Sequence, residues 1–91
     1  QYNEKYQFAG KIVDHDGEKA IVDIRNRLAI GDTIEILVPK QLKPVEFKIE
    51  KLWDIDTNQE IESVSPGKQN QKVKMALPIK CQKDWILRRR K

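Results

Sequence analysis

Few side chains in this sequence could do covalent chemistry, because it has one histidine, His15, and one cysteine, Cys81. A cysteine–histidine mechanism needs a nucleophile and a base within hydrogen-bond reach, usually with an orienting acid. His15 falls inside the first predicted turn, between two aspartates, which favours a solvated turn residue. Lys80 and Lys83 lie close to Cys81 and could lower its pKa modestly, but a single cysteine with no predicted pocket is more often a packing residue. The sequence therefore predicts no catalytic residue in this chain.

Metal sites are equally unsupported by the sequence. A zinc site takes three or four ligands, drawn mainly from cysteine and histidine, and the chain offers two such residues in total. The run Asp54–Glu60 resembles the opening of an EF-hand calcium loop, but the positions that need glycine and a bidentate glutamate hold Gln59 and Ser65. An acidic turn is the better interpretation. We therefore expect neither a metal nor a cofactor in this domain.

Cationic side chains are the remaining candidates, and they are distributed unevenly. Residues 1–67 carry 9 basic and 13 acidic side chains, whereas residues 68–91 carry 9 basic side chains and one acidic one. A split of this kind predicts contact with an anionic partner, and RNA is the first candidate. Tyr2, Tyr6 and Trp53 could stack on unpaired bases. The predicted nucleic-acid-binding residues are Arg25, Arg27, Lys68, Arg88, Arg89, Arg90 and Lys91.

These charges also have a structural interpretation. Arg25 and Arg27 could pair with nearby carboxylates and pin the connection between two strands, and Trp53 could plug one end of a barrel. Charged ends can simply keep a small domain soluble. The acidic composition of residues 1–67 favours a surface that docks on protein, because a negative surface repels phosphate. Both interpretations stay open from the sequence.

Alternation of apolar and polar side chains predicts the elements that position these groups. No comparable stretch shows a helical period, so the chain is predicted to be all-β. Asp16–Gly17 predicts a tight hairpin turn. About six short, mostly antiparallel strands would expose edges and one apolar face as an open sheet, so we predict a small closed or partly open β-barrel. The predicted inward-facing residues are Phe8, Gly10, Ile12, Ala20, Val22, Ile24, Ile34, Ile36, Val38, Val45, Phe47, Ile49, Val73, Met75 and Leu77.

The connection at residues 25–32 is expected to be a structural motif. Leu28 and Ile30 are predicted to fill one end of the barrel, and Gly31 supplies the backbone freedom to reverse direction. The Asp32 carboxylate is expected to accept a hydrogen bond from a backbone N–H in the turn. Asn26, between the two arginines, completes the motif.

Several stretches together resemble a known family. They are Phe8-x-Gly10, the segment 22–36 with its Arg-Asn-Arg-Leu-x-x-Gly-Asp core, Pro66–Gly67 and the closing Trp-Ile-Leu-Arg-Arg-Arg of residues 85–90. Over about residues 6–90 the chain resembles the C-terminal domain of the collagenase-like U32 peptidases. The resemblance implies an accessory β-barrel attached to a TIM-barrel-like catalytic domain that this chain lacks. The Gly-Asp-x-Ile entry at residues 31–34 is itself common in small barrels of translation-factor type.

The resemblance also implies a function for the parent protein. Members are labelled peptidases, and the branch most similar to this chain hydroxylates the wobble uridine of tRNA, with prephenate implicated. An iron–sulfur cluster is suspected in the catalytic domain. We therefore expect a non-catalytic accessory domain that positions RNA, with its own catalytic domain and tRNA as partners. The alternative is a lid or interaction module that docks on the catalytic domain or on a second protomer.

Length and composition bound the remaining expectations. The 91 residues form one predicted domain, with flexible ends at residues 1–5 and 88–91. The polar start without methionine predicts excision from the C-terminus of a longer protein. The lone cysteine fits a reducing compartment, and no apolar run approaches the roughly 20 residues that span a bilayer, so a cytoplasmic location is expected.

Overall fold

The computed structural model describes residues 5–67 and 71–91, and it confirms the all-β prediction. The described residues form ten strands rather than about six, because several are only two or three residues long and give no readable alternation. The strands are β1 (Tyr6–Asp16), β2 (Lys19–Ile24), β3 (Leu28–Ala29), β4 (Thr33–Leu37), β5 (Val45–Lys48), β6 (Leu52–Asp54), β7 (Glu60–Ile61), β8 (Ser63–Val64), β9 (Lys72–Ala76) and β10 (Ile86–Arg90).

Eight of these strands form one antiparallel sheet that curls strongly into a half-barrel, as the predicted partly open barrel requires. The strand order is β5-β4-β10-β1-β2-β9-β6-β7. Strands β3 and β8 form a separate two-stranded ladder. The β1–β2 hairpin turns at Gly17, whose φ of 61° lies in the left-handed region that glycine adopts readily. No helix of membrane-spanning length and apolarity occurs in residues 5–67 and 71–91.

The inner face of the curled sheet carries the core. The predicted alternation holds in β2 and β4, whose inward side chains are buried, and in β9 at Val73 and Met75. Burying a large aliphatic side chain contributes roughly 1.5–3 kcal/mol, so this layer supplies most of the stabilisation of a small domain. The buried apolar residues are Ala9, Ile12, Ala20, Val22, Ile24, Leu28, Ile34, Ile36, Ile49, Leu52, Val73, Met75 and Leu87.

Strand β1 departs from the predicted alternation at its start. Phe8 was expected to face inward, but its side chain is 43% exposed, and Ala9 is buried in its place. The cause is an irregularity between Phe8 and Gly10, where the pairing with β10 shifts register by one residue. A bulge of this kind adds a residue to one strand and reverses the faces on its two sides. Phe8 therefore lies on the solvent-facing side of the half-barrel.

The expected flexible end at residues 88–91 is wrong for Arg88–Arg90. These residues belong to β10, which lies between β1 and β4 and forms ladders with both. Leu87 is buried, and the arginines that follow keep their stems on the sheet while their charged ends reach solvent or a partner. Even the last residue is held, because the Lys91 N–H donates to the Lys5 carbonyl at 2.8 Å.

Candidate nucleic-acid interface

The first half of β1 is the place where the predicted cationic residues meet. Arg88 lies directly opposite Phe8, and Arg90 lies opposite Tyr6, in the β1–β10 ladder. On the other side of β1, the Arg25 N–H donates to the Ala9 carbonyl at 2.7 Å. Residues far apart in sequence thus come together on both flanks of one strand. We call the solvent-facing patch formed by Phe8, Arg25, Arg88 and Arg90, together with the exposed terminal Lys91 that follows Arg90, the β1 surface.

The connection at residues 25–32 fixes one flank of this surface. The Asn26 side-chain amide donates to the Phe8 carbonyl at 2.7 Å and so satisfies a backbone acceptor at the bulge. Leu28 is fully buried and anchors the connection in the core, whereas Ile30 is 41% exposed. The prediction that Ile30 fills the barrel end is therefore wrong, because Leu28 and Ile49 occupy the core beside the turn.

The end of the connection is closed by backbone geometry and one carboxylate. Gly31 has a φ of 93°, which a residue with a Cβ rarely adopts. The Ala29 N–H donates to the Asp32 carboxylate at 2.9 Å, and the Asp32 N–H donates to the Ala29 carbonyl at 3.0 Å. The Ile49 N–H donates to the Asp32 carbonyl at 2.9 Å and ties the turn to the segment after β5. These contacts hold the connection rigidly against the sheet.

Two of the arginines in β10 are committed to partners within the domain. Arg88 forms an ion pair with Glu35 of β4, and its guanidinium lies 5.1 Å from the centre of the Tyr6 ring. Arg89 donates to the Gln7 side chain. The Nε atoms of both arginines are buried, so these groups are poorly placed to contact an external ligand. Arg90 is exposed and is the member of the run best placed to reach a phosphate.

The other predicted cations, Arg25 and Arg27, lie on different parts of the domain. Arg25 is exposed, and its guanidinium lies 3.5 Å from the Asp23 carboxylate, a surface ion pair worth at most about 1 kcal/mol. Arg27 lies apart from the β1 surface and lines an open groove on the other side of the connection, together with three glutamates: Glu50, Glu60 and Glu62. Lys68 lies outside the described residues. The structure thus brings Arg25 together with the β10 residues and leaves Arg27 out.

The aromatic residues that the sequence suggested for stacking are already engaged. The Tyr6 hydroxyl donates to Glu46 at 3.0 Å, and this hydrogen bond, with burial and nearby Glu35, raises the pKa of the phenol. The ammonium of Lys19 lies 4.1 Å from the centre of the Trp53 ring, which is half-buried. Tyr2 lies outside the described residues. The ring that sequence reasoning missed is Phe8.

The signal for Phe8 was the glycine two residues later. Glycine inside a strand often marks a bulge or a close approach of two backbones. Here both occur, because a Cβ added to Gly10 would lie 2.5 Å from the Asp23 carbonyl oxygen. Strict alternation hides the extra residue, so the pattern alone assigns Phe8 to the wrong face.

His15 and Cys81 both line one open groove beside the β1–β2 turn. His15 is exposed there, and the Cys81 thiol lies 3.5 Å from the Ile79 carbonyl oxygen, a geometry in which the thiol donates. Partial burial raises the pKa of the Cys81 thiol, so the flanking lysines do not lower it as the sequence suggested. A raised pKa disfavours the thiolate that a cysteine nucleophile requires.

The acidic run Asp54–Glu60 forms a turn that is closed by hydrogen bonds to the carboxylate of its first residue. The Asp54 side chain accepts hydrogen bonds from the N–H groups of Asp56 at 3.0 Å and Thr57 at 2.8 Å. These hydrogen bonds lower the pKa of Asp54 and hold its charge within the turn. Across residues 5–67 and 71–91, no group of three or more histidine, cysteine or acidic side chains is placed to hold a metal ion.

Comparison with known proteins gives consistent matches. Residues 4–88 match the model of the peptidase family U32 C-terminal domain. The crystal structure of the C-terminal domain of a Geobacillus thermoleovorans protein assigned to the U32 peptidases is similar, with a TM-score of 0.76 and 26% identity over 93% of each chain. Its selenomethionine variant gives a TM-score of 0.74 and 28% identity over 93% of this chain and 99% of that one. No curated protein matches the chain.

Proposed function

The chain belongs to the peptidase family U32 C-terminal domains, and from this premise we propose that it is a non-catalytic accessory domain that holds RNA for a catalytic domain. The expected RNA is tRNA, and the expected chemistry of the parent protein is modification of a tRNA base. A suspected iron–sulfur cluster would have to bind elsewhere, because its usual ligands are several cysteine thiolates and this chain contains only Cys81.

One observation carries the proposal. Arg25, Arg88, Arg90 and Lys91 come from two distant parts of the chain, and they lie on the segments that flank the start of β1, where Phe8 is exposed. Cations and an exposed aromatic side chain on one surface are what single-strand nucleic-acid binders combine. Neither the core nor the strand pairing requires Arg25, Arg90 or Lys91 to carry a charge.

The three cations available for phosphates differ in how they are held. Arg25 is exposed and can exchange its half-buried partner Asp23 for a phosphate at modest cost, because the pair is long, at 3.5 Å, and lies at the surface. Arg90 and Lys91 are exposed, and their backbones are held by pairing with Tyr6 and by a hydrogen bond to the Lys5 carbonyl. Each phosphate contact to a single strand adds about 0.7 to the salt exponent of binding. The β1 surface should therefore bind RNA weakly and with a clear dependence on salt.

Charge reversal tests this assignment better than truncation, since deleting residues 88–91 would remove most of β10. The double variant Arg25→Glu/Arg90→Glu is expected to weaken RNA binding at least about 10-fold at low salt, because two phosphate contacts become repulsive. The matched control is Lys43→Glu/Lys80→Glu, which makes the same change in net charge at exposed positions outside the β1 surface. Fluorescence anisotropy with a labelled RNA measures both.

The control variant should lose no more than about 3-fold in affinity, the part due to overall charge. Equal losses in the two variants would show that RNA responds to net charge alone. That result would remove the β1 surface as the binding site.

A second candidate function rests on a different observation. Leu42 is fully exposed at the tip of the loop between Pro39 and Pro44. The loop is ordered locally, since the Gln41 N–H donates to the Val38 carbonyl at 3.1 Å. Contact with the catalytic domain or with a second protomer would remove this side chain from water, which is favourable.

Hydrogen exchange tests whether the loop docks on protein, independently of any RNA binding. If the loop docks, the amides of residues 40–43 should exchange at least about 10-fold more slowly in the full-length protein than in the isolated domain. Leu42→Ser should abolish that protection and leave the melting temperature of the isolated domain unchanged, because Leu42 makes no core contact. The matched control is Ile79→Ser, at another exposed apolar position. Identical exchange in both proteins would rule out docking through this loop.

A further inference from the structure

Phe8 has no folding role that explains its exposure. A phenylalanine that is 43% exposed forgoes part of the stabilisation that complete burial would supply. The bulge after Phe8 turns the ring outward, while the small side chain of Ala9 fills the inward position. The backbone there is fixed, because the Phe8 carbonyl accepts the Asn26 amide and Gly10 packs closely against β2. The domain thus holds an aromatic ring rigidly on its solvent-facing side.

From this placement, and resting on the proposed RNA function, we propose that the β1 surface binds unpaired nucleotides, with one base stacked on Phe8. Bases in a duplex are covered by their neighbours on both faces, so a side chain on a curved sheet cannot reach them. An unpaired base offers a free face to the ring. Such stacking lowers the dissociation constant by about 5-fold to about 150-fold per base.

The neighbours of Phe8 define how the flanking backbone is held. Arg88 lies opposite the ring but is committed to Glu35 and Tyr6, so it borders the stacking position without being free to move. Arg25 on one flank and Arg90 on the other are exposed and take the phosphates on either side of the stacked base. The binding site therefore consists of one ring between two exposed cations.

The same contacts predict weak sequence preference. Asn26, which lies beside the β1 surface, carries both a donor and an acceptor suited to reading a base edge. Its amide N–H already donates to the Phe8 carbonyl. Stacking tolerates all four bases, because each has an aromatic face. The domain is expected to select unpaired RNA by structure rather than by sequence.

The experiment compares a labelled unstructured RNA of about eight nucleotides with a hairpin duplex of equal charge, at one low salt concentration. The domain is expected to bind the single strand at least about 10-fold more tightly than the duplex. Phe8→Leu, which keeps an apolar side chain, should weaken binding of the single strand about 10-fold and leave duplex binding and the salt exponent unchanged. Phe8→Trp should retain single-strand binding, and circular dichroism confirms that each variant is folded.

The outcomes separate this inference from the function on which it rests. If single strand and duplex bind equally and Phe8→Leu has no effect, stacking is overturned while RNA binding stands. If Phe8→Trp loses binding as fully as Phe8→Leu, an aromatic face is not what the site uses, and the inference is overturned. If neither RNA binds, the proposed function itself is overturned.

Discussion

Replacing Gly10 by alanine is expected to destabilise the domain by about 3 kcal/mol, at the upper end of the usual cost of overpacking. The new Cβ would lie 2.5 Å from the Asp23 carbonyl oxygen and 3.1 Å from the Ile24 Cα. Both are backbone atoms, so no side-chain rotation relieves the clash. Strand β1 cannot move away easily, because β10 holds its other edge.

Urea unfolding measures this loss, and Gly17→Ala is the matched control. Gly17 has a positive φ, but nothing lies within 4 Å of an added Cβ, so only backbone strain of about 1 kcal/mol is expected. The total stability of a domain of this size is on the order of 5–10 kcal/mol. Gly10→Ala would then remove a large fraction of it. A smaller loss for Gly10→Ala than for Gly17→Ala would contradict the close packing at the bulge.

Replacing Arg88 by methionine is expected to cost about 2 kcal/mol. The Glu35 side chain is only 12% exposed and its partner Arg88 is 32% exposed, so water screens this pair incompletely. Removing the guanidinium leaves a nearly buried carboxylate without its counter-charge, which costs more than the pair itself contributes. The methionine keeps an aliphatic stem against Tyr6, so the loss reports the charge rather than the packing.

Arg90→Met is the control for this prediction, because Arg90 is exposed at the end of the same strand and should change stability by less than about 0.5 kcal/mol. The double variant Arg88→Met/Glu35→Met should recover much of the loss, since it removes both charges. The two arginines should also differ in RNA binding, with Arg90→Met the more damaging. If the Arg88→Met variant is as stable as the unmodified domain but has lost RNA affinity, Arg88 contacts RNA, and its ion pair with Glu35 does not stabilise the fold.

The sequence predicted the parts of the fold where local pattern and tertiary pairing agree. Alternation assigned the buried faces of β2 and β4 correctly, and Gly17 marked the hairpin turn. It failed at Phe8, because one extra residue in a strand shifts a period-two pattern to the opposite face. It also failed at Arg88–Arg90, where four consecutive charges indicated a solvated end. Non-local ladders with β1 and β4 decide that segment instead.

At the candidate site, too, local sequence predicted one part and non-local strand pairing decided the rest. Composition and charge identified the arginines, but their sequence positions do not say which of them are free. Arg88 is paired with a residue 53 positions away, whereas Arg90, two residues later, is exposed. The exposed ring between the cations depends on a bulge that alternation cannot show. Residue type indicated the candidate cations, and the strand register decides which of them lie together on one surface.

The dependence of RNA affinity on salt is the most direct test of the central claim, that the cations flanking Phe8 hold RNA. The unmodified domain is titrated with the unstructured RNA at about 50 mM and about 200 mM salt. Three phosphate contacts, from Arg25, Arg90 and Lys91, predict an exponent of about −2 and hence a loss of affinity of about 20-fold between the two conditions. No binding at low salt, or the same affinity in both conditions, would contradict it.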